Sequence, residues 1–254
     1  MIPEAPTNTE QVALGNPSFV WRAGQDRRLN LIRRYVDLEN ARVLDIGCGI
    51  GTYVKKLAEV SGDAYGVDID PARVREGAHT RQSRRGTLSV AVSERLPFSD
   101  ASFDMVLLNE VIEHVKDDAE TLREACRVLR PGGHVIIYAP NRLYPFETHG
   151  VYLGKRYVFG NIPLVNYLPD PLRRRLVPHA RAYTARGLRR VVDGLDVDVI
   201  VHTQVYPGFD NVVARSGVLG GLLKAVFHRL ENTFMRAFGL SHFMVLRTRE
   251  QHHG

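Results

Sequence analysis

Short apolar runs alternate with helical segments through the middle of the chain. The apolar runs predict five β-strands, at residues 42–46, 64–69, 88–92, 103–108 and 134–139. Helices are predicted at residues 53–60, from Pro71 onward and at residues 118–129, and a Pro-Gly-Gly sequence at 131–133 predicts a turn. Strands that alternate with helices are typical of βαβ units, and they predict a parallel sheet with helices on both faces.

The beginning of the chain follows another pattern. Residues 1–20 contain three prolines and no apolar period, so we expect a flexible arm there. In residues 21–38 the apolar side chains Leu29, Ile32 and Val36 recur at helical spacing, which predicts a leading amphipathic helix.

The pattern changes again after Pro140. Residues 141–182 are rich in aromatic residues, prolines and arginines and show no clear period. The sequence then predicts a helix at 184–192, a sixth strand at 196–205, a helical stretch within 211–240 and a last strand at 242–247. We therefore expect one α/β domain over residues 21–254, with insertions at 141–182 and 211–240.

Composition limits the class of protein and its compartment. Only two cysteines occur among 254 residues, and they lie far apart, which indicates a reducing compartment and no disulfide framework. The first residues lack the pattern of a signal peptide, and no apolar run is long enough to span a bilayer. We therefore expect a cytoplasmic protein. The net charge of +6 favours anionic partners, although a merely solvated basic surface would give the same balance.

A glycine-rich turn follows the first predicted strand, in Asp45-Ile46-Gly47-Cys48-Gly49-Ile50-Gly51. Glycine leaves room for a ligand against a strand end and adopts φ values that cost other residues more. An acidic residue about 20 positions later, at the end of the next strand, would accept hydrogen bonds from a ribose, and Asp68 holds that position. Thr52 replaces the third glycine of the dinucleotide pattern, which disfavours a nicotinamide or flavin cofactor.

Four segments resemble, in order, the motifs of class I S-adenosylmethionine (SAM)-dependent methyltransferases. They are residues 45–51, 66–68, 96–104 and 122–135. The resemblance implies a Rossmann-like sheet of seven strands, the last one antiparallel, and SAM as the cofactor. It also implies the residues that hold SAM: Asp45, Gly47, Cys48, Gly49, Gly51, Asp68, Ile69, Ser93, Glu94 and Asn109. The family often has an aspartate where this chain has Val92, so the adenine edge would be held by Ser93, Glu94 or backbone alone.

The segment after the fourth strand carries the candidate chemistry. Methyl transfer chiefly requires alignment of the reactants, but a hydroxyl acceptor also needs a base or a metal to remove its proton. If a helix starts at Asn109, then Glu110, Glu113 and His114 share one face, and such a set could bind a divalent ion.

This block resembles the metal site of the ubiquinone-pathway O-methyltransferases and of a plant small-RNA methyltransferase, in which a downstream histidine completes the site. The resemblance implies His179 for that role, with His149 as the alternative, and Mg²⁺ or Mn²⁺ as the ion. Two other interpretations stay open. His114 or His149 could act as a metal-free general base, and a glutamate in a first helical turn could serve only the helix dipole.

The two insertions have competing interpretations. Residues 141–182 leave the carboxyl end of the fifth strand, where such folds bind ligands, so we expect a substrate lid, with a surface subdomain as the alternative. A set of arginines could bind phosphate or be merely solvated: Arg173, Arg174, Arg175, Arg181, Arg186, Arg189 and Arg190. The 211–240 insertion carries an apolar stripe that could pack on its own domain, pair with a second subunit or lie on a membrane. The stripe consists of Leu219, Leu222, Leu223, Val226, Phe227 and Leu230.

These patterns predict an enzyme that methylates a hydroxyl group of a small aromatic, quinone-like or glycosidic acceptor. An anionic or lipid-linked acceptor, peripheral membrane contact and a homodimer are the expected partners. N- or C-methylation, RNA methylation and a non-catalytic SAM-fold protein are the alternatives. A nucleic-acid partner is not expected, because the sequence contains no RNA-binding module and no dense basic patch with interleaved aromatic residues.

Overall fold

The computed structural model describes residues 25–80, 86–207, 221, 225–227 and 229–249. The chain divides into two compact units. The first, here called the sheet unit, holds Leu29–Ala139, Ala185–Thr203 and the chain from His242 onward. The second, here called the insertion unit, holds the chain up to Arg28, Pro140–Thr184 and Gln204–Ser241.

The secondary structure follows the predicted alternation. The described helices are α1 (Gln25–Ile32), α2 (Thr52–Val60), α3 (Pro71–Thr80), α4 (Asp118–Arg127), α5 (Asp170–Leu176) and α6 (Ala185–Val192), with 3₁₀ turns at Val165–Tyr167 and Phe234–Phe238. The described strands are β1 (Arg42–Ile46), β2 (Asp63–Asp68), β3 (Gly86–Val90), β4 (Phe103–Asn109), β5 (Leu129–Pro140), β6 (Phe146–Glu147), β7 (Val151–Leu153), β8 (Arg156–Val158), β9 (Ile162–Pro163), β10 (Val197–Val205) and β11 (Ser241–Thr248).

Seven strands form one sheet in the order β10-β11-β5-β4-β1-β2-β3. The pairs β1–β2, β1–β4, β2–β3 and β4–β5 are parallel. The sheet is mixed, with antiparallel pairing at its last strands, and the predicted Rossmann-like fold is confirmed. The parallel pairs place the carboxyl ends of β1 to β4 along the same edge of the sheet.

The sheet unit forms because its central strands contain uninterrupted apolar runs. Val106, Leu107 and Leu108 of β4 and Ile136 and Ile137 of β5 have no solvent exposure. A strand in the middle of a parallel sheet is covered on both faces, so it reads as an apolar run rather than as an alternation.

Two predicted elements have different limits in the structure. The leading helix ends at Ile32 instead of Leu38, because residues 33–35 form a turn and the buried Val36 lies beyond it. The Pro-Gly-Gly turn lies inside β5 rather than before it. Phe103 pairs with Leu129 and Met105 pairs with His134, so four residues bulge out between two paired positions of one strand.

The insertion unit contains short elements that the aperiodic sequence did not predict. β6 pairs antiparallel with β9, and β7 pairs antiparallel with β8. The two-residue turn between β7 and β8 contains Gly154 at φ 65°, a conformation that glycine adopts without strain. A small apolar core lies in this unit, formed by Val151, Val165, Val177 and Ala180. The predicted arm (1–20) lies outside the described residues, and so do Leu219, Leu222 and Leu223 of the 211–240 stripe.

Candidate functional site

The glycine-rich turn joins β1 to α2 and lies against the end of β2. Gly47, Gly49 and Gly51 have φ angles of 70°, 56° and 79°. The backbone N–H groups of Gly47 and Cys48 donate to the carbonyl oxygen of Val67, at 2.8 and 2.9 Å. These bonds hold the turn at the carboxyl end of the sheet, as predicted.

Asp68 ends β2 and holds the same turn from the other side. Its Oδ2 accepts a hydrogen bond from the Gly49 N–H at 2.7 Å, and its Oδ1 accepts one from the Asp70 N–H at 2.9 Å. Asp45 is buried nearby, and burial, followed by the negative charge of Asp68, raises its pKa well above the ordinary value. The structure therefore brings the predicted carboxylate and the glycine turn together.

The glycines differ in what surrounds them. A Cβ on Gly47 would overlap Val111 Cγ2, so this glycine permits close packing against the chain after β4. A Cβ on Gly49 would meet only Arg73 Nη1, at 3.8 Å. The space immediately beside Gly49 is therefore open, and it lies next to the Asp68 carboxylate.

Cys48 contributes no reactive thiol to this turn. Its side chain is buried, and burial raises its pKa, with further increases from Asp45 and Asp68. A thiol that stays protonated is a poor nucleophile, so the predicted contribution of Cys48 is limited to packing and to its backbone.

Large apolar side chains are exposed at the carboxyl ends of the neighbouring strands. Ile69 is 70% exposed and directly follows Asp68, and Val90, which is 51% exposed, pairs in register with Asp68. Ile50 in the glycine turn and Val92 after β3 are also exposed. Of these four, only Ile69 was predicted from the sequence to contact SAM. The available signal was the run of apolar residues within predicted strands 64–69 and 88–92, which reaches the ends of β2 and β3 and continues beyond them.

The Glu94 side chain forms hydrogen bonds with Ser93 and with the chain just before α4. Glu94 Oε1 accepts hydrogen bonds from the backbone N–H groups of Lys116 and Asp117, at 3.0 and 3.3 Å, and its Oε2 accepts one from the Ser93 hydroxyl at 3.1 Å. Burial raises the pKa of Glu94, but these bonds and its own backbone N–H lower it by more, so the net shift is downward. The Glu94 carboxylate therefore already has a structural role, and the predicted contact with adenine would be a second one.

The segment after β4 is a turn, and the prediction of a helix starting at Asn109 is wrong. Glu110 has φ 58°, which a helix does not allow, and its N–H donates to the carbonyl oxygen of Tyr138 at 2.9 Å. Helix α4 begins only at Asp118, where the Asp117 side chain caps it by accepting the Glu120 N–H. Glu110, Glu113 and His114 therefore do not share a helical face.

Glu113 and His114 nevertheless lie together within this turn. The Glu113 side chain is fully buried, and its Oε1 is 3.8 Å from Nε2 of His114, whose side chain is one-third exposed. The predicted downstream histidines, His149 and His179, belong to the insertion unit. The metal site that joins Glu113 and His114 to one of them stays a prediction.

Within the insertion unit, the two histidines have different partners. His179 Nε2 is 3.1 Å from the carbonyl oxygen of His149, and its ring packs edge-on against Tyr152 and Tyr157. His149 Nδ1 is 2.9 Å from Glu147 Oε1. A carbonyl oxygen only accepts, so the Nε2 of His179 carries a proton and is a poor metal ligand in this arrangement.

The predicted phosphate-binding arginine cluster is only partly available. Arg173 is 3% exposed and is committed to Glu147, Asn166 and Ala180, so it cannot meet a ligand at the surface. Arg174 and Arg175 are exposed.

Among the described residues, no helix has both the length and the apolar character needed to cross a bilayer.

Comparison with known proteins shows a similarity to methyltransferases over part of the chain. Residues 44–137 match a family model described as a methyltransferase domain. A probable SAM-dependent methyltransferase of Mycolicibacterium smegmatis is 40% identical over 107 residues, which are 40% of this chain and 38% of the relative. Over residues 44–137 the chain is therefore similar to methyltransferase domains, and the relative named here is SAM-dependent. The matched residues include the glycine turn, Asp68 and the turn after β4.

Two other relatives of the methyltransferase domain differ in their acceptor atoms. A ubiquinone biosynthesis O-methyltransferase of Alkalilimnicola ehrlichii is 31% identical over 129 residues, 50% of this chain and 52% of the relative. A norajmaline N-methyltransferase of Rauvolfia serpentina is 36% identical over 110 residues, 41% of this chain and 38% of the relative. The chain thus matches only about two-fifths to one half of the length of these curated relatives.

A solved structure supports the fold over more of the chain. The SAM-dependent methyltransferase of Mesorhizobium loti superposes with a TM-score of 0.62 at 16% identity, covering 88% of this chain and 100% of that one. At this identity the likeness concerns the fold of the methyltransferase domain alone.

Proposed function

We propose that the methyltransferase domain binds SAM at the carboxyl ends of β1 and β2 and methylates a hydroxyl group of a small molecule. The proposal depends most on one observation. The open space beside Gly49 lies next to the Asp68 carboxylate and near exposed Ile69 and Val90. A polar anchor beside an apolar surface suits a nucleoside, which has a hydroxylated sugar and a flat base.

Different residues around this space would bind different parts of SAM. Asp68 accepts two backbone hydrogen bonds, and an ionised carboxylate has about four acceptor sites, which leaves capacity for ribose hydroxyls. Ile69 and Val90 would cover the faces of the adenine ring, and Asn109, at the end of β4, would lie near the methionine end. Bound SAM supplies a methyl group carried on a positively charged sulfur.

The acceptor is proposed from the relatives and from the candidate bases. A relative named as an O-methyltransferase supports a hydroxyl acceptor, and the N-methyltransferase relative supports an amine as the second candidate. A hydroxyl has to lose its proton, and His114 or His149 would take it. We further propose a cytoplasmic protein, because Cys48 and Cys126 are both free thiols. Residues 141–182 would act as a lid over an anionic or lipid-linked acceptor.

A divalent ion is the alternative to a histidine base. Glu113 and His114 would supply two ligands, and Mg²⁺ or Mn²⁺ would polarise the acceptor oxygen. Dialysis against a chelator followed by readdition of Mn²⁺ distinguishes the two. A metal-dependent enzyme loses methyl transfer and regains it, whereas a histidine base works throughout.

The test of the proposed function is methyl transfer from SAM to catechol, a hydroquinone and an aromatic amine, followed by mass spectrometry. We expect a methylated hydroxyl product. Asp68→Asn should weaken SAM binding about 10- to 100-fold, because an amide oxygen cannot replace both carboxylate oxygens. The matched control is Asp70→Asn, which keeps the cap on Ala72 N–H and should bind SAM normally. Equal binding by Asp68→Asn and the wild type would contradict the proposed site.

A further inference from the structure

Five large apolar side chains of the insertion unit are exposed to solvent. Each is between 40% and 61% exposed, and we call the set the apolar patch: Leu143, Phe146, Leu164, Tyr167 and Leu172. Isolated apolar residues are common on protein surfaces, whereas neighbouring ones mark a surface that contacts a partner or a membrane. Whether these five lie together therefore decides what they indicate.

Backbone contacts bring four members of the apolar patch together in pairs. The Tyr167 hydroxyl donates to the carbonyl oxygen of Leu143, and the Leu164 N–H donates to the carbonyl oxygen of Pro145, both at 2.7 Å. Phe146, which follows Pro145, lies in β6. These bonds hold Tyr167 beside Leu143 and Leu164 beside the start of β6.

The side chain of Phe146 points to the outer side of β6. Phe146 pairs with Pro163 of β9, and Leu164 directly follows Pro163. The next residue in β6, Glu147, is buried, and side chains alternate between the two faces of a strand. Phe146 is therefore exposed on the face opposite Glu147, close to Leu164.

Leu164 is not explained by the stability of the free protein. It has φ 64°, in the left-handed region that favours glycine, and its side chain is the most exposed of the patch. A glycine would adopt this φ with less strain, and an exposed leucine gains little from burial in exchange. A contact that covers the leucine would account for its presence.

The fifth member, Leu172, lies on the outer face of α5. Arg173 faces the interior of the unit and is buried. Leu172 and Arg175 are three residues apart, so they share one side of the helix, and both are exposed, as is Arg174. The outer face of α5 therefore combines an apolar side chain with two cations.

Arg142 joins α5 to the rest of the apolar patch. This residue directly precedes Leu143, and its Nη2 is 3.0 Å from Oδ1 of Asp170, the first residue of α5. The same nitrogen donates to the carbonyl oxygen of Leu168, just before α5. Helix α5 therefore begins beside Leu143.

This part of the chain is strongly basic. Residues 140–184 contain seven arginines and lysines and two acidic residues, a net charge of +5 with neutral histidines. Both carboxylates are bound to arginines, Glu147 to Arg173 at 2.6 Å and Asp170 to Arg142 at 3.0 Å. Burial raises the pKa of Glu147, but its hydrogen bonds and the neighbouring positive charges lower it to about 2, so it stays ionised. The segment contains no further acidic residue for its five other cations.

Exposed leucine and aromatic side chains beside uncompensated positive charge fit the surface of an anionic bilayer. Such side chains enter the boundary between headgroups and acyl chains, and arginines bind the lipid phosphates. A second copy of this chain would bring the same positive charge to the contact, and like charges repel across an interface. Binding to a nucleic acid backbone would use the arginines but would not require exposed leucines.

We infer that the apolar patch, together with Arg174 and Arg175, binds the surface of an anionic phospholipid bilayer. The five apolar side chains enter the bilayer boundary, and the two guanidinium groups bind lipid phosphates. This surface differs from the 211–240 stripe, which the sequence suggested for membrane contact. The inference does not rest on the proposed function, because the contact requires neither SAM nor an acceptor.

Sedimentation of the full chain with phospholipid vesicles tests the binding itself. One set of vesicles contains phosphatidylcholine alone, and the other contains about one-third phosphatidylglycerol, an anionic lipid. We expect the protein to sediment with the anionic vesicles only, and less of it to do so at about 0.5 M NaCl, because salt screens the charges. No binding to the anionic vesicles, or equal binding to both sets, would overturn the inference.

The second test removes two leucines from the apolar patch. Leu164→Gly combined with Leu172→Gln should keep the fold, since glycine suits φ 64° and Leu172 is exposed. We expect the affinity for anionic vesicles to fall at least about 10-fold. The matched control, Val199→Thr combined with Ile200→Thr, removes two exposed apolar side chains from β10 and should bind as the wild type does. An unchanged patch variant, or equal losses in both, would contradict the inference.

The third test removes the two cations of α5. Arg174→Gln combined with Arg175→Gln should weaken binding to anionic vesicles about 10-fold or more. The control, Arg186→Gln combined with Arg190→Gln, removes the same charge from exposed positions of α6 in the sheet unit and should bind nearly as the wild type does. Equal weakening in the two variants would show a response to net charge alone and would contradict the assigned surface.

Calorimetric titration with S-adenosylhomocysteine (SAH) keeps this inference separate from the proposed function. Each variant should bind SAH as the wild type does, which also shows that it is folded. A wild-type chain that binds anionic vesicles but not SAH would support this inference and defeat the proposed function. A chain that binds SAH but not anionic vesicles would defeat this inference alone.

Discussion

Each of the two units is stabilised internally by a different kind of contact. The sheet unit has runs of buried apolar residues in its central strands, such as Met105 to Leu108 in β4 and Val135 to Ala139 in β5. The insertion unit has a four-residue apolar core and a buried polar network centred on Glu147 and Arg173. Dispersed apolar packing tolerates the loss of one side chain better than a buried charge pair does.

The difference extends to how each unit presents chemistry. In the sheet unit, candidate groups such as Asp68 follow directly from the strand ends that carry them. In the insertion unit, the orientation of His149 depends on side chains that are distant in sequence, since Arg173 lies 26 residues from Glu147. Substitutions should therefore affect the two units through different mechanisms.

The largest effect should come from breaking the buried pair. Arg173→Met leaves Glu147 ionised and without its arginine, and we expect the free energy of unfolding to fall by about 3–5 kcal/mol. Arg130→Met is the matched control, because Arg130 pairs with Asp104 at 2.8 Å but their side chains are 48% and 33% exposed. The control should lose less than about 1 kcal/mol.

Urea unfolding curves of both variants measure this contrast. Glu147→Leu combined with Arg173→Met should recover much of the loss, because it removes both charges. Equal small losses for Arg173→Met and Arg130→Met would show that the network does not hold the insertion unit together.

A smaller but more selective effect is expected at the glycine turn. Gly49→Ala and Gly154→Ala both place a Cβ at positive φ with no close neighbour, so the backbone cost should be similar, about 1 kcal/mol each. Only the Cβ at position 49 should occupy the space proposed for SAM. Calorimetry should show SAH affinity reduced about 100-fold for Gly49→Ala and unchanged for Gly154→Ala. Parallel losses in both variants would argue that the space beside Gly49 is not the cofactor site.

The smallest effect concerns pH and lies in the sheet unit. His202 Nε2 is 3.2 Å from His242 Nδ1, and burial, then His242, then Arg189 lower the pKa of His202 from 6.5 to about 4. Between pH 6.5 and 4, His202 therefore binds a proton in the unfolded chain but not in the folded chain. The free energy of unfolding should fall as the pH drops through this window. After allowance for partial exposure, the loss is on the order of 1 kcal/mol.

Thermal unfolding of the wild type and His202→Gln between about pH 7 and pH 4 measures this contribution. The variant should show a flatter dependence of the melting temperature on pH. An identical dependence in both proteins would remove His202 as the cause.

The sequence was sufficient for most of the sheet unit. Apolar runs located β1 and β4 to within one residue, and the position of Asp68 relative to the glycine turn was predicted because both lie at strand ends. It failed at Glu110, where a helix starting at Asn109 would have placed Glu110, Glu113 and His114 on one face. Two other contacts place the start of the helix later in the chain. The Asp117 side chain caps α4, and the Glu110 N–H donates to the carbonyl oxygen of Tyr138 in the neighbouring strand.

The insertion unit could not be predicted in the same way. Its strands have two or three residues, too short for a period of two to be recognised. Arg173 appeared in the sequence as one of three consecutive arginines, and nothing in that run distinguishes the buried one. Only the approach of Glu147 from another element explains why Arg173 lies inside the unit while Arg174 remains exposed.

The central claim is that the glycine turn, Asp68 and the apolar residues beside them bind the nucleoside of SAM. Titration of the full chain with SAH in a calorimeter tests it most directly. The account predicts saturable one-to-one binding with a Kd on the order of micromolar, together with a higher melting temperature in the presence of SAH. A folded chain that shows neither binding heat nor a shift in melting temperature would contradict it.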